Sequence, residues 1–121
     1  MLHHLLQVGS RRTLLGHPKL GASWEGFAIE QILATLSTRD AYFWATHGGA
    51  ELDLLVMVKG QRHGFEVKYA DAPGRTRSMT AALSDLGLAH LWLIYPGNRR
   101  YELGERITAI PLADVASLGL T

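Results

Sequence analysis

The chain has 121 residues, 47% of them apolar, a formal charge of +1 and no cysteine. That length suits one domain around one core, and the composition is globular rather than disordered. The missing cysteine excludes a disulfide framework, a cysteine-based zinc site and thiol catalysis, and the near-neutral charge argues against a strongly basic coat for nucleic acid.

Residues 1–20 read as an N-terminal arm or leader, ahead of a domain covering 21–121. Leu2, Leu5 and Leu6 suit one turn of an amphipathic helix, and Gly9, Gly16 and Pro18 then interrupt any regular element. The segment lacks the basic start and sustained apolar run of a secretory signal. The apolar run at 52–58 is too short for a membrane span. A cytoplasmic protein with no membrane association is the expectation.

The first firm element is a helix over about residues 22–37, with Ser23 as a candidate N-cap. Ile29, Ile32 and Leu36 form an apolar stripe. Glu25 falls on that stripe and should face the body of the protein, whereas Glu30 should face solvent. Residues 41–46 are aromatic-rich and suit a strand, and Gly48-Gly49 makes a turn. Residues 51–58 begin with alternation and end fully apolar, as expected of a strand entering the core. A turn at 59–62 leads to a returning strand at 63–69, with Phe65, Val67 and Tyr69 on one face and Glu66 and Lys68 on the other. A loop at 70–75 precedes a helix over 77–88. A buried strand at 91–95, a loop tip carrying Arg99 and Arg100, a weaker strand at 107–110 and a short helix over 111–118 complete the chain. The fold class expected is α/β, an antiparallel meander followed by a helical crossover.

Charge is uneven along this order. Residues 1–24 carry Arg11, Arg12 and Lys19 and no acid; residues 25–53 carry five acids against Arg39; the remainder holds eight basic and six acidic side chains. Either this is ordinary surface variation or it marks an acidic pocket rimmed by basic residues.

The residues that carry chemistry are Glu25, Asp53, Glu66 and Lys68. If Lys59 to Arg62 close a two- or four-residue turn whose paired positions sum to 121, Asp53 lies opposite Lys68 and Leu55 opposite Glu66. Asp53, Glu66 and Lys68 then share a face. Two carboxylates and an ammonium on a half-buried face need a partner. A divalent cation of the Mg²⁺ or Mn²⁺ kind suits them, because Mg²⁺ is held by one or two carboxylates and keeps several waters. Asp53 and Glu66 would supply the carboxylates, with the Val67 carbonyl in reach. Lys68 would orient or deprotonate a water, or stabilise phosphoryl oxygens. Glu25 would reach a metal-bound water or a second ion. The alternative reading of the same residues is a solvated charged face.

Asp53 followed by Glu66-Val67-Lys68, after a helix carrying Glu25, resembles the PD-(D/E)XK nuclease superfamily. Trp24-Glu25-Gly26-Phe27, Tyr42-Phe43-Trp44, Gly49-Ala50-Glu51-Leu52-Asp53 and Ile110-Pro111-Leu112 are similar to the nuclease-like domain found C-terminal to the ATPase module of prokaryotic AAA-type ATPases. The resemblance spans about residues 21–118. It implies a restriction-endonuclease-like αβββαβ core, with a mixed sheet flanked by helices and the site at the sheet edge. It also implies Asp53, Glu66 and Lys68 as motif residues and Glu25 as the helix acid. Leu52 stands where a proline precedes the aspartate in many members, and Tyr69 follows Lys68 where many carry a small polar residue. No glycine-rich phosphate loop ending in Gly-Lys-Ser/Thr is present in this sequence.

Arg75 and Arg77 are candidate phosphate contacts and suit a solvated helix start equally well; His47 could touch a phosphate, but a lone histidine is more often a surface residue. Glu51 shares a face with Asp53 and is either a further ligand or a polar residue at the strand mouth. Trp24, Trp44 and Trp92 read as core aromatics, with stacking on bases open to any that is exposed. Two functions follow. One is a metal-dependent nuclease-like domain hydrolysing DNA, with a homodimer expected if both strands are cut. The other is a non-catalytic module of the same fold that binds DNA or protein, as a detached part of an ATPase.

Overall fold

A computed structural model describes residues 3–7, 20–37 and 40–120. The expected arm at 1–20 falls mostly outside these. Within it, His3–Gln7 forms strand β1, where a helical turn was expected. Helix α1 (Leu20–Leu36) starts two residues earlier than expected, so Ser23 lies inside its first turn and does not cap it. Ala28, Ile29, Ile32 and Leu36 form its buried face. Ser37 ends it with a left-handed backbone (φ 51°).

Strands β2 (Ala41–Thr46), β3 (Glu51–Val58) and β4 (Gln61–Val67) form an antiparallel meander. Lys59 and Gly60, both at positive φ (52° and 78°), make the two-residue turn between β3 and β4. Turns of this kind match the twist of the flanking strands. Val58 therefore pairs with Gln61 and Leu54 with Phe65. This register is displaced by two residues from the expected one. The ladder ends at the Leu54–Phe65 pair, so Asp53, expected opposite Lys68, lies beyond its last pair.

A second irregularity lies on the other side of β3. Tyr42 pairs with Leu55, yet Trp44 pairs with Leu52, so Phe43 faces two residues, Asp53 and Leu54. Such a bulge re-aims side chains. It lets Leu52 and Leu55 join one core while Leu54 and Val56 join the other.

Helix α2 (Arg77–Leu86) crosses over from β4 to the parallel strand β5 (His90–Tyr95). Thr76 caps it by accepting the Met79 N–H at 3.3 Å, and Gly87 ends it at φ 60°. Strand β6 (Tyr101–Gly104), which was not anticipated, pairs antiparallel with β7 (Ile107–Pro111). Pro111 then caps a 3₁₀ helix over Leu112–Leu118. The sheet order is β1-β2-β3-β4-β5-β7-β6. The domain is a mixed α/β sandwich: α1 and the 3₁₀ helix pack on the face bearing Leu54, Phe65, Val67 and Ile94, and α2 on the face bearing Leu52, Leu55, Leu91 and Leu93. Among the described residues, no helix is long and apolar enough to cross a membrane.

Candidate functional site

Where β3 begins, β4 ends and α2 starts, a polar cleft of about 220 Å³ opens. Glu25, Glu51, Asp53, Glu66, Val67 and Lys68 line it, together with Thr76, Ser78 and Met79 from the cap and first turn of α2. The four acids and the lysine singled out in the sequence are therefore brought together. The N-terminal end of α2, with its positive dipole end, borders them.

Each side chain has a structural reason for its position. The bulge turns the Asp53 carboxylate towards β4, and its Oδ2 accepts the Val67 N–H at 2.9 Å. Asp53 is only 8% exposed. In a strand the N–H and C=O of one residue point towards the same neighbour, so the Val67 carbonyl points to the Asp53 side as well. The Lys68 N–H is held by the Ile94 carbonyl of β5 at 2.9 Å. This anchors the strand end and leaves the Lys68 side chain exposed. The next N–H, that of Tyr69, is accepted by Glu25 Oε2 at 3.1 Å. Glu25 thus ties α1 to the chain leaving β4, and Glu30 is exposed as expected. The Glu51 N–H reaches Ser78 Oγ at 3.4 Å, joining the start of β3 to α2.

The electrostatics centre on Glu66. Its carboxyl is pushed well above the usual carboxylate range, first by burial, then by a hydrogen bond to Asp53 and the Asp53 charge, with Lys68 pulling the other way. Two carboxylates packed this closely cannot both ionise cheaply. The site is short of positive charge, and a proton on Glu66 makes up part of the deficit. A cation between the two carboxylates would do the same.

The donor set fits a hard divalent ion on chemical grounds. Two carboxylates and a strand carbonyl are oxygen donors, and Mg²⁺ completes such a set with waters. No group of three or more His, Asp or Glu side chains is poised around a single ion position among the described residues. Glu25 and Glu51 line the cleft without closing such a group, so the first ligands would be Asp53, Glu66 and the Val67 carbonyl.

The weaker candidates separate. Arg75 and Arg77 border a neighbouring groove of about 550 Å³, which shares Thr76 with the acid cleft. The Arg75 guanidinium lies against Gly104 of β6, where an added Cβ would meet Nη1 at 2.9 Å. His47 sits exposed in the β2–β3 turn and does not line the acid cleft. Trp44 is fully buried. Trp24 and Trp92 are half-buried, and Trp92 stacks on His90 with ring centroids 4.1 Å apart. Sequence reasoning missed Thr76 and Ser78. A threonine directly before a helical run is a cap signal that points to the first of them.

Residues 20–115 match the family described as a domain of unknown function, DUF4143. Two proteins described as uncharacterized, one from Mycobacterium tuberculosis and one from Mycobacterium bovis, are each 44% identical to the chain over 119 residues. Each match covers 98% of this chain but 27% of the relative, so the chain spans about a quarter of the length of these curated relatives.

Proposed function

The chain belongs to the DUF4143 family, and from that premise we propose that it is a metal-dependent, PD-(D/E)XK-type nuclease domain that hydrolyses phosphodiester bonds in DNA. The observation that carries the reading is the meeting of Asp53, Glu66 and Lys68 in one polar cleft. The raised Glu66 carboxyl beside Asp53 supports a cation as the missing partner of the pair.

Asp53, Glu66 and the Val67 carbonyl would hold the ion, of the Mg²⁺ or Mn²⁺ kind. When bound, the metal supplies Lewis-acid polarisation of a phosphoryl oxygen and a more acidic water. The protein residues do the rest. Asp53 keeps its orientation through the Val67 N–H. Lys68, with its backbone locked to β5 and its side chain exposed, orients the attacking water and offsets charge on the phosphoryl oxygens. Glu25 acts as a positioning residue: by holding the Tyr69 N–H it fixes the chain on which Lys68 sits.

The test is cleavage of plasmid and branched DNA with Mn²⁺, comparing wild type with Glu66→Ala and Lys68→Ala. The reading expects cleavage by the wild type and loss in both variants. Unchanged cleavage in both would remove these residues from the reaction.

A second reading rests on a separate observation. The chain spans 27% of its curated relatives, and domains of this family are often found C-terminal to AAA-type ATPases. On this reading the domain is a non-catalytic module that binds DNA or protein for an ATPase. It expects no cleavage and no metal-dependent gain in melting temperature. A homodimer would allow the catalytic form to cut both strands, and light scattering decides between it and a 13.3 kDa monomer.

A further inference from the structure

The large apolar side chains exposed among the described residues, Phe27 at 50% and Tyr69 at 44%, lie on the two segments that carry Glu25 and Lys68. Tyr69 is not loosely placed. Its N–H is held by Glu25, its ring rests on α1 at Gly21, and the Trp24 ring lies 5.9 Å away at a 49° tilt. Phe27 follows Trp24 by three residues and is its neighbour on the helix surface. One side of the Tyr69 ring is thus fixed against the protein while nearly half of the residue remains open to solvent.

An exposed aromatic ring is costly to leave in water, and ordering its backbone through a carboxylate of the site sets its position relative to the cleft. The neighbouring charges indicate what covers it. Lys68 is adjacent in the chain, and the groove bordered by Arg75 and Arg77 joins the acid cleft at Thr76. Lysine and arginine side chains at the rim of a cleft whose Glu25 fixes Tyr69 put cations for a phosphate backbone and an aromatic face at one site, the elements of single-stranded nucleic-acid binding.

We propose that Tyr69, braced by Trp24 and extended by Phe27, is a stacking platform for an unpaired nucleobase at the rim of the Asp53–Glu66 cleft, and that the substrate is single-stranded or frayed DNA in preference to intact duplex. A base inside a duplex has both faces covered by its neighbours and offers none to Tyr69. An unpaired base has a free face, and its phosphate can then lie beside Lys68. The substrate assignment rests on the nuclease reading above; the binding preference does not require catalysis.

The experiment separates the two. Binding of fluorescein-labelled oligothymidylate, and of its duplex with oligoadenylate, is followed by anisotropy in EDTA, so that no cleavage occurs. Wild type, Tyr69→Ala and Tyr69→Phe are compared, with folding checked by circular dichroism. The single strand should bind more tightly than the duplex. Tyr69→Ala should weaken single-strand binding by roughly five- to hundredfold, and Tyr69→Phe should restore it. Equal binding by Tyr69→Ala and wild type overturns the platform, as does a duplex bound as tightly as the single strand. Absence of DNA binding in every protein also overturns it and leaves the aromatic patch to a protein partner. If the Tyr69 dependence holds while Mn²⁺ gives no cleavage, the platform stands and the nuclease reading falls.

Discussion

Replacing Glu66 with glutamine should stabilise the metal-free protein, and only above the pH at which an ordinary glutamate ionises. The folded carboxyl is raised well above 4.5 by burial and by Asp53. Between 4.5 and its raised value, the folded protein keeps a proton that the unfolded chain has released. Stability therefore falls as pH rises through that window, and it stays lowered beyond it. Each unit of elevation is worth about 1.4 kcal/mol. Glutamine has nearly the same shape, can donate to Asp53 as the protonated acid does, and carries no charge to desolvate. For 121 residues, an unfolding entropy of about 2.1 cal/mol/K per residue makes 1.4 kcal/mol equivalent to about 5 °C in melting temperature. Thermal melts followed by circular dichroism in EDTA should show Glu66→Gln and wild type together near pH 4.5 and the variant higher at mildly alkaline pH. Coincident melts at every pH, or a variant that melts lower at alkaline pH, would refute the claim that Glu66 is a strained acid.

Other parts of the molecule give further expectations. The pKa of His63 is lowered by burial, and that of His90 by burial, opposed by Glu102 and reinforced by His63 and Arg106. Each imidazole keeps its neutral form to a lower pH in the folded state than in the unfolded chain, so the stability this gives is present above pH 6.5 and is lost as pH falls below it, where the unfolded chain takes up protons first. His63→Leu should make the fall in melting temperature below pH 6.5 shallower, and an unchanged slope would count against this. Gly64→Ala would set a Cβ 2.7 Å from Leu88 Cδ1 and 3.2 Å from Leu52 Cδ2. Overpacking of this sort costs about 1–3 kcal/mol, which should lower the urea midpoint with an unchanged slope; an unchanged midpoint would show that Leu88 gives way freely.

Much of the fold was legible because hydrophobic period separates these elements well. Ile29, Ile32 and Leu36 mark α1, and 51–58 and 91–95 are apolar runs of strand length. Parity placed Asp53, Glu66 and Lys68 on one face; they line one cleft, with the register displaced by two residues and Asp53 in a bulge outside both ladders. The register itself was not legible. Any two of Lys59, Gly60, Gln61 and Arg62 suit a turn, and the choice depends on Lys59 accepting a left-handed backbone, which composition does not reveal. Nor was the bulge at Asp53 and Leu54, which is set by β2 packing against β3. Strand β6 was missed because Tyr101–Gly104 is four residues long, too short for its alternation to stand out beside Arg99 and Arg100. β1 was missed because the leucines in it suit one helical turn as well as a strand, and only pairing with β2 decides between them. In the site, the acids stood out as residue types. Tyr69 did not, because its exposure depends on α1 presenting Gly21 and Trp24 beneath it.

The central claim is that Asp53 and Glu66 hold a divalent cation, and a Mn²⁺ titration followed by melting temperature tests it most directly. At a free concentration one hundred times its dissociation constant, a ligand bound only by the folded state adds about 2.7 kcal/mol, or about 10 °C for a chain of this length. Asp53→Asn keeps an oxygen for the Val67 N–H but removes the charge, so it should fold and lose the gain. A rise in the wild type that disappears in Asp53→Asn is the predicted result; no rise in the wild type, or an equal rise in both, would contradict it.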